Sequence, residues 1–527
     1  MTSSPNTQQR TPWVELAIAA LPAALHAVLL LGRLHPDEVF QSLEIALHRA
    51  YGFGIVPWEW QTPPNPDTAT QPWGIRNWAV PMLFSALFKA GDVVGLSSSM
   101  ARRVLAEIPQ YFLHLAMLGA VWRLAARRVN APMARACVWL VALYGPIVWF
   151  GGRTMSESFS TAFLVWGLER LDDQEAKPLH WALGGALLGF AQVTRYGSAA
   201  VIIPAMVWLL ATRRWKSFAF AAAGGVVVAL GLGLLDKLTW GEWFHSLIHY
   251  VRFNVTSGQA AAQFGAQPWW LYVFRFLLPP FAFVGLFFAT RRDRWLQPTV
   301  VVLVLAASFA AMGTRFPALA AASPYFGLLG AAALGFLLLE RNTKKPTIFF
   351  AAALGYTVIL SATAHKEDRF LYPALVLFTV GSVPTFVAWA AEMWSRRQAH
   401  RVAVSTLALS GFAYFLFPSP FDVQRKEQFQ LTAKASKGAT GYVLMNEGMW
   451  GSPGFFYLGQ NIPWCPCDFP HDQCFQLAAR DARFNRGVYW SNASAAEGSR
   501  DADAKAAFEA AGFHLVEQRG HASLFER

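Results

Sequence analysis

His35-Pro36-Asp37-Glu38-Val39-Phe40-Gln41 follows directly on the first long apolar run of the chain, residues 13–33. An apolar helix over that run would deliver two adjacent carboxylates to a membrane–water boundary. Carboxylates beside a bilayer are costly unless they act chemically or find partners. Asp37 and Glu38 are therefore the first candidates for chemistry. Pro-Asp-Glu is also a good helix start, with Pro at the first position and acids facing the positive end of the helix dipole.

The composition around this stretch fits a polytopic α-helical membrane protein. The 527 residues are 54% hydrophobic and 14% charged, and the mean hydropathy is +0.31, values that exclude an ordinary soluble enzyme. Apolar runs that suit about 30 Å of hydrocarbon, some short enough to fit broken or tilted helices around a cavity, recur at 13–33, 104–124, 132–150, 157–171, 179–195, 197–212, 217–235, 271–290, 298–312, 320–339, 346–364, 370–391 and 400–417. The first lacks a small-residue cleavage site and reads as a retained helix. The net charge of +12 collects in loops between the runs, which argues for membrane orientation rather than a nucleic-acid partner.

One set of loops carries Arg123, Arg127, Arg128 and Arg135; Arg213, Arg214 and Lys216; Arg291, Arg292 and Arg294; Lys344 and Lys345; and Arg396, Arg397 and Arg401. The alternate loops hold mostly single cations. The positive-inside rule makes the first set cytoplasmic, so the motif-like segments share the external face. Residues 76–92 are apolar enough to suggest a span, but a crossing there would invert the charge pattern. Residues 35–103 are therefore expected to form one long external loop with interfacial helices, anchored by Trp58, Trp60, Trp73 and Trp78. Residues 1–417 form the membrane unit. Residues 418–527 are polar, with strand-like runs at 441–445 and 487–490 and a helix-like stretch at 501–511, and read as a small external α/β domain.

Four cysteines are present. Cys137 reads as a small hydrophobe. Cys465, Cys467 and Cys474, with His471 nearby, suit zinc or a disulfide, and an external location favours the disulfide.

Several external segments join Asp37 and Glu38. A hydroxyl nucleophile must lose its proton as it attacks, which makes one carboxylate a general base and its neighbour a helper. His365-Lys366-Glu367-Asp368-Arg369 is a dense charged turn; its cations suit a lipid phosphate and the charge that grows on a leaving phosphate. Arg153 and Arg195 each stand at a helix end and are further phosphate candidates, with headgroup snorkelling as the simpler reading. Asp236, Trp240 and Asn254 offer the acid, aromatic and amide groups that bind sugar rings, and the aromatics of this segment equally suit an interfacial belt.

Together these residues resemble glycosyltransferase family 22, the lipid-linked mannosyltransferases of GPI-anchor and N-glycan precursor assembly. The likeness lies in His35 to Gln41 with Glu44 and His48, in Gly52, Gly54 and Trp58-Glu59-Trp60, in Arg153-Thr154, in Asp236 with Trp240-Gly241, and in His365 to Phe370 with Pro373. Glu157 stands where the family usually has Asn. Within the family the pattern resembles the third-mannose α-1,2 type.

The resemblance implies a GT-C fold with about 11–13 membrane helices and a catalytic acid in the first external loop. It implies inverting transfer of mannose from a polyprenyl-phosphate-mannose donor, such as dolichyl-phosphate mannose, to a lipid-linked glycan acceptor. Asp37 would be the base and Glu38 its support. His365, Lys366 and Arg369, with Arg195 and Arg153, would bind the donor phosphate. Gln41, Glu44, Trp58, Glu59, Trp60, Asp236, Trp240 and Asn254 would contact sugar or acceptor. No metal or other cofactor is expected, and the chain is expected to act as a monomer among membrane lipids. The active face would be periplasmic at a bacterial inner membrane, or lumenal in the endoplasmic reticulum of a eukaryote. The competing class is a membrane transporter, which should place ionisable residues at mid-membrane rather than at helix ends.

Overall fold

The computed structural model describes residues 10–66, 69, 71–269, 271–272, 347–393, 423–446, 448–468, 470–491 and 498–527. The apolar runs fold as helices at Trp13–Leu29, Ser99–Ala126, Ser156–Asp172, Pro178–Thr194, Ala199–Ala211, Trp215–Trp240, Ile348–Ala362 and Tyr372–Met393. The run expected at 132–150 divides into Ala131–Ala142 and Gly145–Phe150. Pro146 lies in the first turn of the second piece, where its missing N–H costs nothing. Two described helices, Ser99–Ala126 and Trp215–Trp240, are long and apolar enough to cross a membrane. The spans expected at 298–312, 320–339 and 400–417, and all but the first two residues of 271–290, lie outside the described residues.

The Ser156–Asp172 helix separates two charge clusters. At its C-terminal end Glu169 pairs with Arg127 at 2.6 Å and with Arg123 at 3.2 Å, and Asp172 pairs with Arg128 at 2.8 Å. The adjoining Asp173 carbonyl accepts from Arg214 at 3.2 Å. At its N-terminal end Glu157 meets Arg195 and Arg369. A 17-residue helix is about 25 Å long, so Arg123, Arg127, Arg128 and Arg214 cluster at the end of it opposite to Arg195 and Arg369. The apolar core between them includes Cys137, free and buried.

The described residues of 35–103 hold Pro36–Glu38 running into a π-helical turn at Val39–Glu44, then Ile45–Tyr51, a short 3-10 turn at Trp58–Trp60, Ala79–Val93 and the start of Ser99–Ala126. Their apolar faces bury Val39, Phe40, Leu43, Phe84 and Phe88 against Phe429, Phe456 and Tyr457 of the C-terminal part. The tryptophans expected as interfacial anchors pack inward on aromatic partners. Trp60 is buried and meets Trp78 edge-on at 6.3 Å, Trp78 lies 6.2 Å from Trp240, and Trp73 packs at 5.9 Å on Trp240 and 4.3 Å on His245. Trp58 packs on Phe253 at 4.9 Å.

The C-terminal part is a five-stranded sheet in the order β2-β1-β3-β5-β4: β1 Tyr442–Met445, β2 Trp464–Cys467, β3 Arg486–Trp490, β4 His514–Arg519 and β5 Ala522–Glu526. β1 runs parallel to β2 and β3, while β5 is antiparallel to β3 and β4. The Cys465–Cys474 disulfide ties β2 to the Gln473–Arg480 helix, and Cys467 is free and buried, so these thiols are not a zinc site.

Candidate functional site

Asp37 and Glu38 are adjacent in sequence and oppositely placed in space. Glu38 turns inward: its Oε1 lies 3.1 Å from Arg153 Nη1, and its Oε2 accepts from the Leu34 N–H at 3.0 Å. Arg153 also donates to the Gly32 and Leu30 carbonyls and has no exposed surface. This buried pair holds the loop against the helix ends. Arg153 therefore faces backbone carbonyls and Glu38, and it is not among the residues lining the open cavity described below.

Asp37 turns outward. Its side chain keeps 20% of its surface, against 3% for Glu38, so of the two acids Asp37 is the more accessible. Asp37 Oδ2 lies 2.6 Å from Arg369 Nη1, across 332 residues of chain. His35 sits between two acids, with Nδ1 3.2 Å from Asp37 Oδ1 and Nε2 3.2 Å from Glu367 Oε2. Burial by itself would raise the Asp37 carboxyl, but the Arg369 guanidinium, with His35 and Arg76, holds it well below the usual carboxylate range.

Arg369 is gripped by three carboxylates: Asp37, Glu367 at 2.5 Å and Glu157 at 3.3 Å. Burial works against its charge and those acids more than restore it. Burial likewise pushes Glu367 up, yet Arg369, His365 and His35 hold it far down. His365 Nε2 lies 2.9 Å from Glu367 Oε1. Lys366 is capped by the carbonyls of Gln267, at 3.2 Å, and Thr363, and burial pulls its ammonium below the usual lysine value. Among the described residues no carboxylate lies within ion-pair reach of Lys366. Lys366, Arg369, His35, Gln267 and Gln424 line an open polar cavity of about 350 Å³. Two cations, Lys366 and Arg369, on the wall of such a cavity can recognise a phosphate, with the acids Glu367 and Asp368 on the same wall.

Arg195 lines a different, smaller chamber, with Gln41, Trp60, Arg76, Asn77 and Ser156. Its Nη1 lies 2.8 Å from Glu157 Oε1, the same oxygen that meets Arg369. The sequence reading did not single out Glu157, Glu367, His35 or Arg76 as site residues. Glu157 had a detectable signal, since a lone acid opening an apolar run requires a partner. Its two arginines, 38 and 212 residues away, did not.

The expected sugar-facing residues divide. Gln41 donates to Glu59 at 2.8 Å beside the small chamber, and burial raises the Glu59 carboxyl against the pull of Arg76. Trp60 lines that chamber and Trp58 lies under Phe253. Trp240 donates its indole N–H to the Arg76 carbonyl at 3.1 Å. Asp236 is fully buried and accepts from the Ser246 N–H at 2.9 Å and its hydroxyl at 2.6 Å; it pins the following short helix and has no access to a sugar. Asn254 donates to the Tyr250 carbonyl at 3.0 Å within its own turn.

Glu44 has no exposed surface and accepts from the N–H of Ile55 and of Phe456, joining the loop to the C-terminal part. Gly54 and Gly454 make room for it. Both have positive φ, and a Cβ at Gly454 would meet Glu44 Oε1 at 2.2 Å. Burial pushes this carboxyl up to about 7 against the N–H groups that favour its charge. Glu44 thus clamps the loop to the C-terminal part through two backbone N–H groups. Glu44→Gln would set an amide NH2 against one of those N–H groups. The expected cost is about 1–3 kcal/mol, seen as a lower melting temperature of the purified protein; an unchanged melt would contradict the clamp.

A model of the Alg9-like mannosyltransferase family matches residues 13–421. The GPI alpha-1,2-mannosyltransferase 3 of Danio rerio is 24% identical over 376 residues, 69% of this chain and 58% of its own length. The GPI mannosyltransferase 3 of Yarrowia lipolytica is 25% identical over 354 residues, 64% of this chain and 55% of its own. The chain thus spans a little over half the length of these relatives. Among solved structures, ArnT from Cupriavidus metallidurans bound to undecaprenyl phosphate aligns over 98% of both chains, with a TM-score of 0.52 and 14% identity; its apo form aligns over 97% of both, with a TM-score of 0.50 and 11% identity. That likeness is one of fold. The match over residues 13–421 decides the family: the chain belongs to the Alg9-like mannosyltransferases, glycosyltransferase family 22.

Proposed function

We propose that the chain is an inverting mannosyltransferase that moves mannose from a polyprenyl-phosphate-mannose donor to a hydroxyl of a lipid-linked glycan. The observation that carries this reading is the Asp37–Arg369 pair at 2.6 Å beside Lys366 and the open polar cavity. In this reading the donor phosphate enters the cavity and binds Lys366 and Arg369. Its charge competes with Asp37 for the guanidinium. Asp37, released, takes the proton of the acceptor hydroxyl as that oxygen bonds to the anomeric carbon from the face opposite the phosphate. The bond from the anomeric carbon to the phosphate oxygen breaks, and its electron pair leaves with the polyprenyl phosphate, whose charge the two cations stabilise. One phosphate and two cations need no metal for this step. The site would face the periplasm, or the lumen in a eukaryote, because the Arg-rich helix ends lie away from it.

The test is transfer of labelled mannose from polyprenyl-phosphate mannose into the lipid fraction by the purified protein in nanodiscs, with α or β linkage read from the product. Retention of configuration or absence of transfer would overturn the reading. A pH profile adds a second check. Arg369 keeps Asp37 ionised far below the usual range, so kcat/KM should show no acid limb between about pH 5 and 7. In Arg369→Gln the nearest cation is gone and burial is less opposed, so the carboxyl rises. Any acid limb of the residual kcat/KM should therefore move to higher pH than in the wild type. An acid limb that does not move upward in the variant would contradict Asp37 as the titrating base.

A further inference from the structure

The small chamber holding Arg195 has a second cation, which acts on Asp37 only from a distance. Arg76 lines it, its Nε is buried without a hydrogen-bond partner, and among the described residues no carboxylate lies within ion-pair reach of it. The acids that offset its charge, Glu59 and Asp37, act from beyond contact. Arg195 is 9% exposed; its Nη1 is committed to Glu157 and Ser156, and its Nε is likewise buried without a partner. Two guanidinium groups with unsatisfied N–H bonds in one chamber form an anion site, because such donors are costly until an acceptor arrives.

The neighbouring wall indicates what carries the anion. Val193 lines this chamber and also an almost wholly apolar groove of about 210 Å³ bordered by Gly185, Leu188, Gly225 and Phe244. A small polar anion site that shares the Val193 wall with an apolar groove matches a phosphate ester on an alkyl chain.

We infer that Arg76 and Arg195 form a second phosphate site, distinct from the Lys366–Arg369 cavity, which takes the phosphate of a lipid and lays its chain in the Val193 groove. In the transfer reaction this lipid is the acceptor, an assignment that rests on the reading of the first cavity as the donor site. One Glu157 oxygen holds both Arg195 and Arg369, so the two sites share a buried carboxylate.

The test is equilibrium binding of radiolabelled dodecyl phosphate to the full chain in nanodiscs, with empty nanodiscs correcting for partition. The wild type should bind two molecules per chain. Arg369→Gln should lose one, and Arg76→Gln should weaken the other by tenfold or more while keeping the first. A single site that Arg76→Gln leaves untouched would overturn the inference. Should Arg76→Gln not fold, a diazirine-bearing alkyl phosphate on the wild type gives the same decision. Label at Leu188, Val193 or Phe244 supports the site, and label confined to other segments overturns it. Inorganic phosphate in tenfold excess should leave the alkyl phosphate bound; full displacement would mark a free-phosphate site instead. A wild type with two such sites and no mannosyl transfer would sink the proposed activity and leave this inference standing.

Discussion

Asp37→Asn should lower mannosyl transfer by about 10²–10⁴-fold, the range associated with losing a positioned general base, while the protein folds and binds donor at least as well as before. The variant removes one of three carboxylates on Arg369 and leaves Glu157 and Glu367 to hold the guanidinium. The pocket geometry should therefore survive. The amide cannot take a proton, so kcat falls. It also competes less with the donor phosphate for Arg369, so donor affinity should stay level or rise. That combination separates a base from a phosphate ligand: Arg369→Gln or Lys366→Gln should raise the KM for donor as well as lowering kcat. Single-turnover rates and donor binding on the same nanodisc preparation would decide it. Transfer by Asp37→Asn within a few-fold of wild type would remove Asp37 from the chemistry.

The second large effect concerns stability. Arg153→Met should destabilise the fold by about 3–5 kcal/mol, because removing one member of a buried pair leaves the other charge without compensation. Glu38 keeps the Leu34 N–H but loses its cation, and the carbonyls of Gly32 and Leu30 lose their donor. Thermal unfolding in detergent should show a marked fall in melting temperature. Adding Glu38→Gln should recover part of the loss, since the stranded charge is then gone. Full activity and an unchanged melt in Arg153→Met would mean that Glu38 is solvated or neutral. The contrast with Asp37→Asn matters: neighbouring acids should fail in different ways, one in turnover and the other in folding.

How much of this was legible in the sequence varies with the kind of interaction. Helix positions were legible because hydrophobicity is a local property: the run read at 157–171 folds as Ser156–Asp172, and that at 179–195 as Pro178–Thr194. Charge asymmetry between loops was legible for the same reason. Strands β2 and β5 were not singled out, since Trp464-Cys465-Pro466-Cys467 and Ala522-Ser523-Leu524-Phe525-Glu526 are short and weakly patterned, and strand pairing depends on distant partners. The tryptophans of residues 58–78 carried an ambiguous signal, because an amphipathic ring suits a membrane interface and an aromatic cluster alike.

The sequence by itself determined roughly where the described apolar helices lie, which loops carry the cations, and that Asp37, Glu38, Lys366 and Arg369 stand at helix ends. Each of these follows from residue type within a turn or two of chain. Only the tertiary structure decided that Glu38 is sealed against Arg153 while Asp37 opens onto Arg369, and that Glu157 joins two arginines from separate segments. Those outcomes depend on contacts across 38 to 332 residues. Burial and charge pairing at such separations come from packing, not from neighbouring residues.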